Sequence, residues 1–376
     1  MRILIAGDFV ASLRVKEQLN NGNFECLEDV TSLIRTADYS IVNLECPVLN
    51  RTAFPIQKTG PSLSCNENAI ACIAKAGFKC VTLANNHFRD YGQIGVEDTL
   101  RMSEEYSLDY VGGGRNLKEA EEIKYINIHG KRLAIINVCE NEWSIASEVR
   151  GGSAPLNPVR NVYKIAEAKN NSDFVIIIVH GGIEGYKYPT LRMVDTYRFF
   201  VDAGADAVIN HHQHCYSGYE VYHEKPIFYG LGNFCFDRLE KNGSEWNNGY
   251  IVMLDLGENQ VQFEVVPYVQ CDDIPNVKIC DELQRENFEN HVQQINRVIR
   301  DRKSLMHQYE LYLNSICFQR ILNLEPFYNR YIRRLQRLGL LPRFIKGRAF
   351  RDWYNRLNCE SHREVLCALM QKHLED

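Results

Sequence analysis

The chain has no CxxC pair, although it carries thirteen cysteines. Those cysteines sit inside apolar runs such as "AIACIAKAGFKCVTL" and "SICFQRIL". That scatter excludes a disulfide framework and a zinc-thiolate site, and fits buried reduced thiols. No apolar run approaches the roughly 20 residues that a membrane-spanning helix needs. "MRILIAGDFV" is too short for a signal peptide and runs straight into Asp8. There is no internal repeat and no low-complexity tract. With a net charge of −5 the chain as a whole is no nucleic-acid binder, although local patches stay open. The remaining composition, 45% hydrophobic and 24% charged over 376 residues, is that of a globular protein with one large domain or two moderate ones. We expect a soluble, cytoplasmic protein.

Short apolar runs fill the first two-thirds of the chain. "RILIAG", "SIVNL", "CVTLA", "RLAIINV", "DFVIIIV", "DAVIN", "KPIFYGL", "YIVMLDL" and "VQFEVV" read as strands. "NENAIACIAKAGF", "QIGVEDTLRMSEEY" and "TLRMVDTYRFFVDAG" read as helices between them. The early part is therefore α/β with a largely parallel sheet. Residues 218–268 change to consecutive strands with short turns, which predicts antiparallel or mixed pairing. Past "CDDIPNVKICDE" the pattern is helical, so the expected boundary separates residues 1–275 from a helical extension over 276–376.

Five of these strands share one property: each delivers a polar side chain at its carboxyl end. "RILIAG" leads to Asp8, "SIVNL" to Glu45, "CVTLA" to Asn85-Asn86-His87, "DFVIIIV" to His180, and "DAVIN" to His211-His212-Gln213-His214. Open parallel sheets place their chemistry at that edge. In "LANNHFRDYG" a plain turn competes with this reading, with an asparagine in a left-handed conformation and Asp90 capping the next helix. Any one of the five ends has such an ordinary explanation, but five convergent ones favour a site. Oxygen and nitrogen donors without thiolates suit Mn, Fe or Zn, with Mg as a further candidate.

These segments also carry a resemblance. "GDFV" (7–10), "NLECPV" (43–48), "LANNHFRDYG" (83–92), "GGGRN" (112–116), "HGGIEGYKYPT" (180–190), "DAGADAVINHHQHC" (202–215) and "KPIFYGLGNFCFD" (225–237) occur in the order found in the CapA family, which the chain resembles over residues 1 to about 268. The resemblance implies a calcineurin-like metallophosphoesterase fold, a four-layered α/β/β/α sandwich, in capsule or poly-γ-glutamate synthesis. It implies one or two divalent ions held by Asp8, Glu45, Asn86, His180, His212 and His214, with Glu45 at the place of a bridging carboxylate. It makes His87 the imidazole facing substrate or leaving group. His211 is the extra histidine, carried as a substrate-binding candidate. Two departures stand out. The D-x-H start of two-metal phosphoesterases reads Asp8-Phe9-Val10 here, so one site is a ligand short. Cys46 follows Glu45 where family members often have glycine, and is read as a packed thiol.

Several other residues are candidates from their own chemistry. Asp90 would orient His87 as acid or base. Glu184 would be a nearby carboxylate or proton acceptor. Arg115 would fork onto an anionic group, and Tyr188 would line the pocket. Asn233 and Asp237 read as structural braces. Hydrolysis of a phosphoester or amide of an anionic small molecule, peptide or polymer is the expected reaction. Metal-assisted peptide epimerisation and a non-catalytic assembly role are the alternatives. In the tail, Arg320, Arg330, Arg333, Arg334, Arg337, Arg343, Lys346, Arg348 and Arg351 are interleaved with aromatics and leucines. The first expectation there is packing on the parent domain. Peripheral contact with an anionic inner membrane face comes second and nucleic acid last.

Overall fold

The computed structural model describes residues 1–257, 261–322, 329–342 and 345–375. Its strands are β1 (Arg2–Val10), β2 (Tyr39–Leu44), β3 (Cys80–Thr82), β4 (Asp109–Val111), β5 (Gly113–Gly114), β6 (Lys124–Ile128), β7 (Lys131–Cys139), β8 (Gly152–Ser153), β9 (Phe174–His180), β10 (Ala207–His211), β11 (Tyr219–Tyr222), β12 (Lys225–Phe228), β13 (Asn233–Phe236), β14 (Asn248–Leu256), β15 (Val261–Gln270) and β16 (Val277–Ile279). Its helices are α1 (Leu13–Asn20), α2 (Glu28–Ile34), α3 (Glu67–Ala76), α4 (Gly92–Glu105), α5 (Leu117–Ala120), α6 (Pro158–Asn171), α7 (Leu191–Asp202), α8 (Glu282–Arg300), α9 (Arg302–Leu322), α10 (Arg330–Arg337), α11 (Arg348–Asn358) and α12 (Glu360–Glu375).

Two sheets form the body. One runs β16-β15-β14-β1-β2-β3-β4, with β13 also paired to β1, and the other runs β11-β12-β10-β9-β7-β6. β1 to β4 are parallel, as are β12, β10, β9 and β7. The antiparallel β14-β15 and β11-β12 pairs account for the change of pattern after residue 218.

Alternation along β1 and β2 sorts the layers. Ile3, Ile5 and Ile41 join one core with Ile135, Ile177 and Ile209 of the second sheet. Leu4, Ala6 and Val42 turn the other way, onto Val15, Val30, Ile70 and Leu100 of α1 to α4. Ile165 and Tyr197 of α6 and α7 belong to the first of these cores, on the second sheet. The result is an α/β/β/α sandwich. Strand β9, "FVIIIVH", is buried along its whole length, as expected where both faces of a parallel sheet are covered.

Contacts divide the chain into two compact units, Met1–Met306 and His307–Asp376. Helix α8 lies in the first unit, where Phe288, Val292, Ile295 and Ile299 enter the core. It starts with a capping box between Asp281 and Gln284. In the second unit Asn329 caps α10 by accepting from the amides of Tyr331 and Ile332. Arg343 lies outside the described residues, as does the side chain of Arg320. Among the described residues no helix is long and apolar enough to cross a membrane.

Candidate metal centre

The carboxyl ends of β1, β2, β3, β9 and β10 meet at one place, and each brings its polar residue. Local backbone irregularity aims them. Pairing of β1 with β2 and β13 shifts register around Asp8, a bulge that turns the carboxylate out of the ladder. After β10 the chain passes through His212 at φ 95° and His214 at φ 56°, left-handed conformations that a histidine adopts only when its surroundings impose them.

His180 Nε2 stands 3.1 Å from Asn86 Oδ1, 3.0 Å from His212 Nδ1 and 3.5 Å from Glu45 Oε1. On the other side of Glu45, His214 Nε2 lies 3.7 Å from Oε1, and His214 Nδ1 lies 3.7 Å from Asp8 Oδ2. Two donor groups result, Glu45–His180–His212 and Asp8–Glu45–His214, and Glu45 belongs to both. Both Glu45 oxygens are buried; among the described residues no N–H or hydroxyl donates to them, and their hydrogen-bonding neighbour is the Asp8 carboxyl.

Electrostatics follow from burial. Loss of solvent pushes the Asp8 carboxyl up to about 7, against hydrogen bonds from Asn43 Nδ2 (2.7 Å) and the His212 amide (3.2 Å) that favour its anion. Burial, then the neighbouring Asp8 and Glu184, hold Glu45 well above the usual range. Burial presses His212 down to about 4 and His214 to about 3, and carries His180 well below its ordinary value. The cluster thus gathers carboxylates that resist ionisation and imidazoles that resist protonation. A cation placed among them would reverse the first tendency and use the second.

Around this set runs a shell of amides. Asn43 bridges Asp8 and His180 Nδ1 (3.4 Å) and accepts from Thr82. Asn85 donates to the Leu44 carbonyl and accepts from the His87 amide. Asn233 Oδ1 meets His214 Nδ1 at 2.9 Å. Neither Asn85 nor Asn86 has a positive φ, and the helix after them is capped at Tyr91, so the turn reading of "LANNHFRDYG" is not what the chain does. Asp90 instead takes His87 Nδ1 at 2.7 Å, together with the Leu63 amide and the Lys58 ammonium. Lys58 is itself 3% exposed and lies 3.2 Å from His87 Nδ1.

The remaining candidates separate. Glu184 is exposed, and its charge reaches Glu45 and Glu142. Tyr188 is half-buried with its ring 5.8 Å from that of Tyr186. His211 is 1% exposed, meets the Ala6 backbone and is pushed down to about 3 by burial. Arg115 pairs with Glu119, four residues on, and is not gathered with the others. Asp237 binds Arg14, as a brace should. Cys46 is wholly buried in the outer core with Cys65. Sequence reasoning missed Lys58, Asn43, Glu142, whose carboxylate lies 3.9 Å from His212 Nε2, and the group of Phe236, Arg238 and Trp246 beside His214. Of these only Asn43 lies in one of the apolar runs that lead to a ligand, next to the end of β2.

Residues 2–238 match the model of the family described as bacterial capsule synthesis protein PGA_cap. The capsule biosynthesis protein CapA of Bacillus anthracis is 35% identical over 247 residues, 63% of this chain and 60% of that protein. The PGA biosynthesis protein CapA of Bacillus subtilis is 31% identical over 68% of this chain and 67% of its own length. Among solved structures, a novel phosphatase from Mycoplasma pneumoniae aligns with a TM-score of 0.45 at 16% identity, covering 73% of this chain and 95% of that one. A likeness of that size says nothing about chemistry here. The family match spans well over half of the chain and includes every strand end that meets at the cluster, and on that ground the chain belongs to the PGA_cap capsule synthesis family.

Proposed function

We propose that the chain is a metal-dependent hydrolase that cleaves a phosphoester or amide of an anionic substrate in capsule or poly-γ-glutamate-type polymer metabolism. Glu45 carries this reading: a carboxyl with no exposure whose hydrogen-bonding neighbour is a second buried carboxyl, Asp8, and which is ringed by His180, His212 and His214. Such a group costs several kcal/mol in the interior unless a cation answers it. Oxygen and imidazole donors with no thiolate fit Mn, Fe or Zn, with Mg as a further candidate. Asp8, Glu45, Asn86, His180, His212 and His214 would hold one or two such ions. A bound ion would supply Lewis-acid polarisation of a phosphoryl or carbonyl oxygen.

The other side chains move and place protons. Asp90 and Lys58 occupy the Nδ1 side of His87, which leaves Nε2 to exchange a proton with substrate or leaving group. Asp90 fixes that ring orientation and Lys58 balances its charge. Glu184 offers a second, solvent-facing base. The relatives' names support the pathway and leave the reaction open.

Metal analysis after reconstitution with Mn, Fe or Zn, followed by phosphomonoester, phosphodiester and amide substrate panels, tests this. Stoichiometric metal with turnover, both lost in His212→Ala, is the expected result. Protein that takes up no ion defeats the reading. Deuterium entering a peptide from solvent without cleavage would replace hydrolysis by epimerisation.

A further inference from the structure

Arg238, near the cluster, is a cation whose counter-ion is a weak one. Arg238 follows β13 with its side chain 31% exposed. Its guanidinium carbon lies 5.0 Å from the Phe236 ring centre and 5.1 Å from that of Trp246. Those rings are themselves fixed. They meet edge to face at 5.0 Å, and the Trp246 indole N–H donates to the Phe236 carbonyl at 2.8 Å. Both rings also touch a donor of the cluster, with Trp246 4.8 Å and Phe236 5.6 Å from His214. Arg238 is thus one aromatic layer away from His214.

Its neighbours in sequence do not neutralise it. Asp237 is committed to Arg14, with contacts of 2.8 and 3.0 Å. Glu240 stands at 4.0 Å with a side chain 65% exposed, a pair of little strength. An arginine stacked on aromatic rings keeps its N–H edge free, and that planar fork matches phosphate and carboxylate.

We propose that Arg238, positioned by Phe236 and Trp246, is a substrate-binding residue that holds an oxyanion of the substrate, phosphoryl or carboxylate, beside the Asp8–Glu45–His214 group. This rests on the hydrolase reading for its setting and adds the chemical handle by which the substrate is gripped. Orthophosphate and glutarate are the probes, titrated calorimetrically into full-length protein with and without Mn(II), for wild type, Arg238→Met and Arg238→Lys.

Loss of one charge-assisted fork should weaken binding about 10- to 100-fold in Arg238→Met, with Lys in between and Mn(II) stoichiometry unchanged. Whichever anion binds more tightly identifies the handle. Equal affinity in wild type and Arg238→Met overturns the proposal, and so does wild-type protein that binds neither anion. If Arg238→Met fails to fold, Arg238→Lys decides: weaker binding supports the fork and unchanged binding overturns it. Arg238-dependent anion binding by protein that takes up none of Mn, Fe or Zn leaves this subsite standing and removes the hydrolase reading.

Discussion

At the scale of single residues the cluster is a balance of penalties. Glu45 has a pKa raised by burial, and a raised carboxyl contributes stability that is full below its unfolded value and lost as pH rises through the folded one. Metal-free protein should therefore be less stable than its Glu45→Gln variant, and the gap should widen from pH 5 to pH 8. An effect on the order of 2 kcal/mol at the upper end is expected for an unpaired buried charge. Thermal melts of both metal-free proteins at the two pH values measure it. Parallel curves would mean that a proton shared with Asp8 already satisfies Glu45. Added metal should reverse the order, stabilising wild type and not the variant. His87 behaves differently, because its Nδ1 side is occupied and it is not in either donor group. His87→Gln should keep its metal and lose roughly 10²- to 10⁴-fold in turnover. Loss of metal along with activity would make His87 a ligand instead.

At the scale of elements, the site depends on how closely β13 approaches β1. A Cβ on Gly7 would stand 2.0 Å from the Gly232 carbonyl oxygen, and backbone on both sides leaves nothing to give way. Gly232 itself has φ +80°. Gly7→Ala should cost about 3 kcal/mol or more and, by moving Asn233 away from His214, lower metal affinity as well. A melt and a metal titration check both, and a variant with wild-type values would show that the two strands separate freely. The long apolar strands could be read directly from the sequence because burial on both faces forces near-continuous Ile and Val, as in β9. Short β13, "NFCF", and the three-residue β4 and β16 lack that signal, since few residues carry any period. The ligand candidates were readable because each ends or follows an apolar run, even where, as in β3, only three of its residues pair as a strand. Lys58 and Arg238 were not, because each stands in a connection between strands and acquires its role only from tertiary neighbours. Asp90 was half readable: its spacing from His87 suits either a cap or an orienting carboxylate, and only the Lys58 contact shows which is built.

At the scale of the molecule, all the chemistry sits in the first unit. Asp8 to Arg238 lie within Met1–Met306, and α8 closes that unit with Phe288, Val292, Ile295 and Ile299 in its core. The composition shift placed the boundary nearer residue 275, because α8 resembles the later helices in period. Only its contacts assign it to the sandwich. Residues 307–376 hold twelve basic against seven acidic residues, so the rest of a chain of net charge −5 carries −10. The charge of the second unit thus opposes that of the first, a distribution suited to an anionic surface or polymer and unrelated to the metal donors. Truncation after Met306 should then leave a folded protein with unchanged metal content, melting within a few degrees of the full chain. It should also lose any salt-sensitive sedimentation with anionic vesicles that the full chain shows. Metal loss or aggregation of the truncated protein would show that the second unit is needed to complete the sandwich. Truncation at residue 275 makes the contrast, since removing α8 strips four buried apolar side chains worth about 1.5–3 kcal/mol each and should unfold the domain.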